Sequence, residues 1–148
     1  MRKLRRLLDV TGADRRLLAE AVGELARARA RILLGHLMRR KPDLGRLHGE
    51  TGERLSPAQE REVARIRWAV RAAARHVPWN AVCLPRAMAA KAMLRRRGIG
   101  STLYLGVALR PEPGVQGRAA AHAWLRAGAV VLTGEEHMDQ YTCIAKFS

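Results

Sequence analysis

The chain has 148 residues, 48% hydrophobic and only 4% aromatic, with 28 Lys and Arg against 13 Asp and Glu for a formal net charge of +15. That length suits one domain around a single core rich in alanine and leucine, with no need of a disulfide or metal staple. No run of about twenty uncharged apolar residues and no secretory signal layout is present, so a cytoplasmic chain outside the membrane is expected.

From Ala13 to about Met38, apolar side chains recur at helical spacing: Leu17, Leu18, Ala21, Val22, Leu25, Ala28 and Ile32, with Thr11 or Asp14 to cap the start. Lys41 to Arg54, with Pro42, Gly45, Gly49 and Gly52, reads as a loop. Ser56-Pro57-Ala58-Gln59 is a capping box with proline at the first helical position, and Val63, Ile66, Val70, Ala74 and Val77 form the buried stripe of a second helix that Pro78 ends. A third helix begins at Cys83, because Pro85 is tolerated only in a first turn. Arg95, Arg96 and Arg97 suit the negative end of its dipole, and Gly98 is its natural C-terminal cap.

Beyond Gly98 the period changes. Residues 101–109 and 121–126 read as strands, the first mostly buried, separated by a Pro/Gly-rich loop from Arg110 to about Arg118. A tight turn near Ala127-Gly128 folds residues 129–133 back on the second strand. A two-residue loop there pairs Arg126 with Ala129, Trp124 with Val131 and His122 with Thr133. Cys143 lies in a terminal apolar run, Tyr141 to Phe147, and is expected to be a small buried residue. The fold class is α+β: a helical part, 1–78, then a helix packed on a small antiparallel sheet, 79–148, in one domain.

Two residues carry the chemistry. Cys83 sits where unpaired backbone N–H groups and the positive end of a helix dipole favour an anion, which makes the reactive thiolate accessible. His122 lies on a strand that the helix can pack beside, and a Cys–His pair attacks a carbonyl and protonates the leaving group. Asn80 is placed to cap the turn or hold an oxyanion. The predicted register puts Thr133 and Glu135 on the face of His122, so that Thr133 as a neutral acceptor or a carboxylate of Glu135 or Glu136 can orient the imidazole, and a dyad supported by backbone is the third option. Trp124 shares that face and packs beside the ring. Arg86, one turn into the helix, serves as a structural brace or a substrate contact.

The segments C-L-P-R-A, L-R-R-R-G-I, Y-L-G-V, A-H-A-W and V-V-L-T-G, in this order from about Asn80 to the C-terminus, resemble the protease domain of the lasso-peptide B-protein family, whose core is transglutaminase-like and papain-related. The resemblance implies a leader peptidase that cuts a ribosomally made precursor peptide between leader and core, so that a lasso cyclase can close the ring. It implies Cys83 as nucleophile and His122 as base, and it matches Thr133 to the position where the family carries an aspartate. Longer relatives begin with a leader-binding domain containing a β-hairpin, and nothing in residues 1–55 reads as strands. A split-type enzyme is therefore implied, with leader recognition in a separate protein.

Residues 1–80 hold 19 of the basic and 9 of the acidic side chains. This excess either coats solvated helical faces or attracts an acidic precursor or partner by steering. Sparse aromatics, basic residues spread along helices and no zinc-finger or RNA-binding signature argue against nucleic acid. His36, His48, His76 and His137 lack ligand spacing with each other or the cysteines, so neither metal nor cofactor is expected. Two rival readings stand beside the peptidase: another cysteine-dependent acyl transfer or amidase reaction on the same core, and a non-catalytic basic binding module.

Overall fold

Two capping boxes set the first helices. Thr11 Oγ1 accepts from Asp14 N at 3.2 Å while Thr11 N donates to the Asp14 carboxylate at 3.3 Å, opening α1 (Gly12–Leu37). Ser56 and Gln59 repeat the exchange at 3.2 and 3.0 Å, with Pro57 leading α2 (Pro57–His76). Each side-chain cap contributes about 1 kcal/mol. The third helix, α3 (Cys83–Arg96), has no such side chain: Val82 occupies its cap position, so Asn80 does not cap it. Gly98, at φ +66°, turns the chain out of α3. The computed structural model describes residues 10–40, 43–52, 54–108, 121–136 and 138–148. Lys41, Pro42, Leu109, the Arg110–Arg118 loop and His137 lie outside the described residues.

Four strands follow: β1 (Thr102–Val107), β2 (Ala121–Ala127), β3 (Val130–Thr133) and β4 (Thr142–Phe147). They form one antiparallel sheet in the order β3-β2-β1-β4. The last strand pairs with β1, inside the run that the sequence marked only as apolar. A further bridge, Leu47 to Phe147, adds residues of the first loop to that edge.

One face of the sheet meets the helices. Leu103, Leu125, Ala127 and Leu132 join Ala87, Ala90, Met93 and Leu94 of α3 in a core completed by Leu17, Ala21, Leu25 and Ala28 of α1 and Val63, Ile66 and Val70 of α2. Alternation then sends Tyr104, His122, Trp124 and Arg126 to the other face. Part of that face is roofed by the chain around residue 50. Thr51 N donates to Thr102 Oγ1 at 2.9 Å, and Arg126 donates to the Thr51 carbonyl at 2.8 Å.

Polar links tie the helices together as well. Arg97 donates to Glu20 of α1 at 2.8 Å and to Glu62 of α2 at 3.0 Å. Glu24, only 4% exposed, is bonded by Arg27 and by Arg96. The price of burying that carboxylate is met by two guanidinium groups. Val22, expected on the core face, is 39% exposed and sits at its edge.

Two local expectations are corrected. The β2–β3 turn is Gly128-Ala129, and pairing runs Ala127 with Val130, Arg126 with Val131 and Leu125 with Thr133 across a bulge. Gly128 has φ +58°, which suits glycine at the first central position of a two-residue hairpin loop rather than the second. A register shifted by an odd step moves side chains to the other face, so Thr133 pairs with Leu125 and not with His122. Cys143 is exposed on β4, the edge strand, rather than buried.

Candidate active site

The path of the chain relates Cys83 to His122. A helix of 14 residues is about 21 Å long, and a strand of six residues spans about 20 Å. After α3 the chain turns through residues 97–101, and β1 packs against the helix it has just left. The Val107 end of β1 thus returns toward the start of α3, and Val107 pairs with Ala121, the neighbour of His122. Cys83 and the His122 end of β2 share one end of the helix–sheet sandwich. The two side chains are not in hydrogen-bonded contact, since Cys83 Sγ makes no hydrogen bond among the described residues.

Cys83 is half-buried at the first helical position. First-turn N–H groups have no carbonyl partner inside the helix, and Pro85 has no N–H, which leaves those of Cys83 and Leu84 pointing out of the helix start. Arg86 donates to the Ala81 carbonyl at 2.6 Å, bracing the turn that leads into Cys83. Its guanidinium is a structural brace there.

His122 is held on three sides. Its Nε2 lies 2.7 Å from the carbonyl oxygen of Gly134. A carbonyl oxygen only accepts, so Nε2 carries a proton, and Nδ1 is the ring nitrogen left without a hydrogen-bond partner among the described residues. Tyr141 stacks on the imidazole at 4.8 Å between centroids, and Trp124 at 6.0 Å. Trp124 in turn stacks on Tyr104 at 5.5 Å with planes only 8° apart. The expected contact of Trp124 with the ring is present.

Glycine makes this packing possible. Gly106 pairs with His122 across β1 and β2, and a Cβ there would come within 2.8 Å of the Trp124 ring and 3.0 Å of Tyr141 Cβ. Its bare backbone lets Tyr141, before β4, reach across β1 to His122. Gly134 has φ +75°, and a Cβ on it would run into the Ala123 carbonyl. That left-handed turn aims the Gly134 carbonyl at the ring.

The partner of the imidazole is therefore neither Thr133 nor Glu135. Thr133 is 3% exposed, and its Oγ1 is buried without a hydrogen-bond partner among the described residues. Glu135 is turned toward α2, where Arg67 donates to it at 2.7 Å and Arg71 bonds it as well. The Arg71 hydrogen bond, ahead of the charges of Arg71 and Arg67, holds its carboxyl below the ordinary glutamate value against a smaller opposing cost of burial. A glycine inside a strand run is the sequence signal that marks Gly106. Tyr141 and the Gly134 carbonyl carry no such signal, since their contacts depend on strand order.

Among the described residues no cluster of three or more His, Cys, Asp or Glu has the arrangement to hold a metal ion, and no helix is long and apolar enough to cross a membrane. The model of one family, described as the transglutaminase-like superfamily, matches residues 24–146. No curated protein and no solved structure gives a significant match.

Proposed function

Because the chain belongs to the transglutaminase-like superfamily, whose members include cysteine proteases and transglutaminases, we propose that it is the leader peptidase of a lasso-peptide pathway, with Cys83 as nucleophile and His122 as base. The observation that carries the reading is the Gly134 carbonyl on His122 Nε2, which leaves Nδ1 as the free basic nitrogen of a ring fixed by Tyr141 and Trp124. The peptide substrate and its two partners, a separate leader-recognition protein and a lasso cyclase, are what the resemblance of the ordered segments to the lasso-peptide B-protein family implies.

Each step balances. Nδ1 takes the Cys83 proton and Sγ attacks the scissile carbonyl, and the resulting oxyanion faces the first-turn N–H groups of α3. The tetrahedral centre collapses, the C–N bond breaks, and the imidazolium gives its proton to the departing amine. Water then adds to the thioester with Nδ1 as base, releasing the leader acid and restoring the thiol. Closure of Sγ onto Nδ1 belongs to the substrate complex, as catalytic hydrogen bonds often tighten only there. A carbonyl orienter is neutral, so it selects the tautomer without the charge that a carboxylate lends to the imidazolium.

The thioester is shared with acyl transfer to an amine, so product analysis separates the two: hydrolysis leaves a free leader carboxylate, transfer an amide. Labelling with iodoacetamide tests the nucleophile. Cys143 is exposed and Cys83 half-buried, so exposure alone predicts that Cys143 reacts first. The peptidase reading expects Cys83 to react first, with that advantage lost in His122→Ala, and expects Cys83→Ala to stop cleavage of a leader-bearing precursor without unfolding the chain. Undiminished cleavage by Cys83→Ala would sink it. Cys143 labelling first, in a protein that also leaves precursor uncut, favours the binding module.

A further inference from the structure

A groove of about 490 Å³ runs along the outer side of α2, lined by Glu60, Arg67, Trp68, Arg71, Arg75 and, from the hairpin opposite, Val130. Arg67, Arg71 and Arg75 stand four residues apart, one above the next on a single helix face. Like charges at that spacing repel, and Glu135 answers only the first two. Arg75 has no ion pair among the described residues.

Donors remain along the row. Glu135 takes only the Nη2 groups of Arg67 and Arg71, leaving most of the N–H groups of each guanidinium. The Nε of Arg67 is buried with no hydrogen-bond partner among the described residues. Beside the row, Trp68 is 44% exposed, a large apolar surface next to unsatisfied cations.

We infer that this groove docks an acidic peptide segment, with carboxylate side chains on Arg71 and Arg75 and an aliphatic side chain on Trp68. Arg67 and Arg71 already display the chemistry by gripping Glu135. Glu60, in the same groove, selects against a continuous polyanion: a phosphate backbone running the length of α2 would meet its carboxylate, whereas a peptide can place an uncharged or basic residue there. This docking site stands independently of the peptidase reading. It does adjoin the segment that serves His122, since Glu135 follows Gly134.

The test is fluorescence anisotropy with a labelled peptide of alternating leucine and glutamate. Arg75→Glu should weaken binding about tenfold or more and Trp68→Ala about threefold or more, while Arg29→Glu, exposed on α1 outside the groove, should change it less than about twofold. A circular-dichroism melt checks that each variant is folded, and Arg75→Ala serves in place of Arg75→Glu if the reversal unfolds. Equal loss from Arg29→Glu would reduce the effect to the overall +15 charge and overturn the proposal. So would equal binding of the glutamine-for-glutamate peptide, or an Arg75-dependent oligonucleotide of matched charge that binds more tightly than the peptide.

Discussion

Thr133 shows how little a hydroxyl is worth once its partner is gone. It was a candidate to orient His122, yet it lies opposite Leu125 with Oγ1 buried and unbonded. An unsatisfied buried hydroxyl costs about 1–3 kcal/mol, and valine has nearly the same shape with a higher strand preference. Thr133→Val should therefore raise stability by up to about 1 kcal/mol in urea denaturation and leave precursor cleavage intact. Lost cleavage in a stable variant would return Thr133 to the catalytic group. The proposed nucleophile and base were legible as residues, because a proline two positions after a cysteine and a histidine in a strand run are local signals. Their neighbours were not: Tyr141 reaches His122 only because β4 returns to pair with β1 and Gly106 leaves the gap.

Between elements, the Glu135 clamp joins α2 to the segment whose carbonyl holds His122. Its pH dependence has a definite sign. The folded carboxyl lies below the ordinary glutamate value of 4.5, chiefly through the Arg71 hydrogen bond, so the clamp stabilises the fold above that value and the contribution disappears as pH falls through the lowered folded value. Glu135→Gln should be less stable than the parent at pH 7, with the gap closing below about pH 4.5 in parallel thermal melts. A gap that persists undiminished in acid would mean that the ion pairs contribute nothing. At this scale the helices were readable, because Thr11, Ser56 and Pro57 punctuate them and one apolar stripe repeats along each. The hairpin was readable too, but its register was not. The loop length alone left open which position Gly128 takes, and the bulge at Leu125/Arg126 shifts the pairing again.

For the whole molecule, 28 basic and 13 acidic side chains leave an excess that the ion pairs cannot absorb. Pairs such as Arg97 with Glu20 and Glu62 weaken in salt, but repulsion among the surplus cations is screened as well. With more than two basic side chains for each acidic one, the repulsion exceeds the attraction. The melting temperature should therefore rise between 20 and 200 mM NaCl, by about a few degrees. A fall would mean that the interhelical pairs outweigh the repulsion.

From composition and period alone came the α+β class, the three helices with the N-terminal caps of the first two, the β-hairpin and the positions of Cys83 and His122, because those depend on residues within a few places of one another. Only the tertiary structure decided that Gly134 and not Thr133 or Glu135 meets the imidazole, that Glu135 belongs to Arg67 and Arg71, and that three arginines of α2 line one groove. The first two are contacts across strand order or register, where a single step of pairing turns a side chain from one face of a sheet to the other.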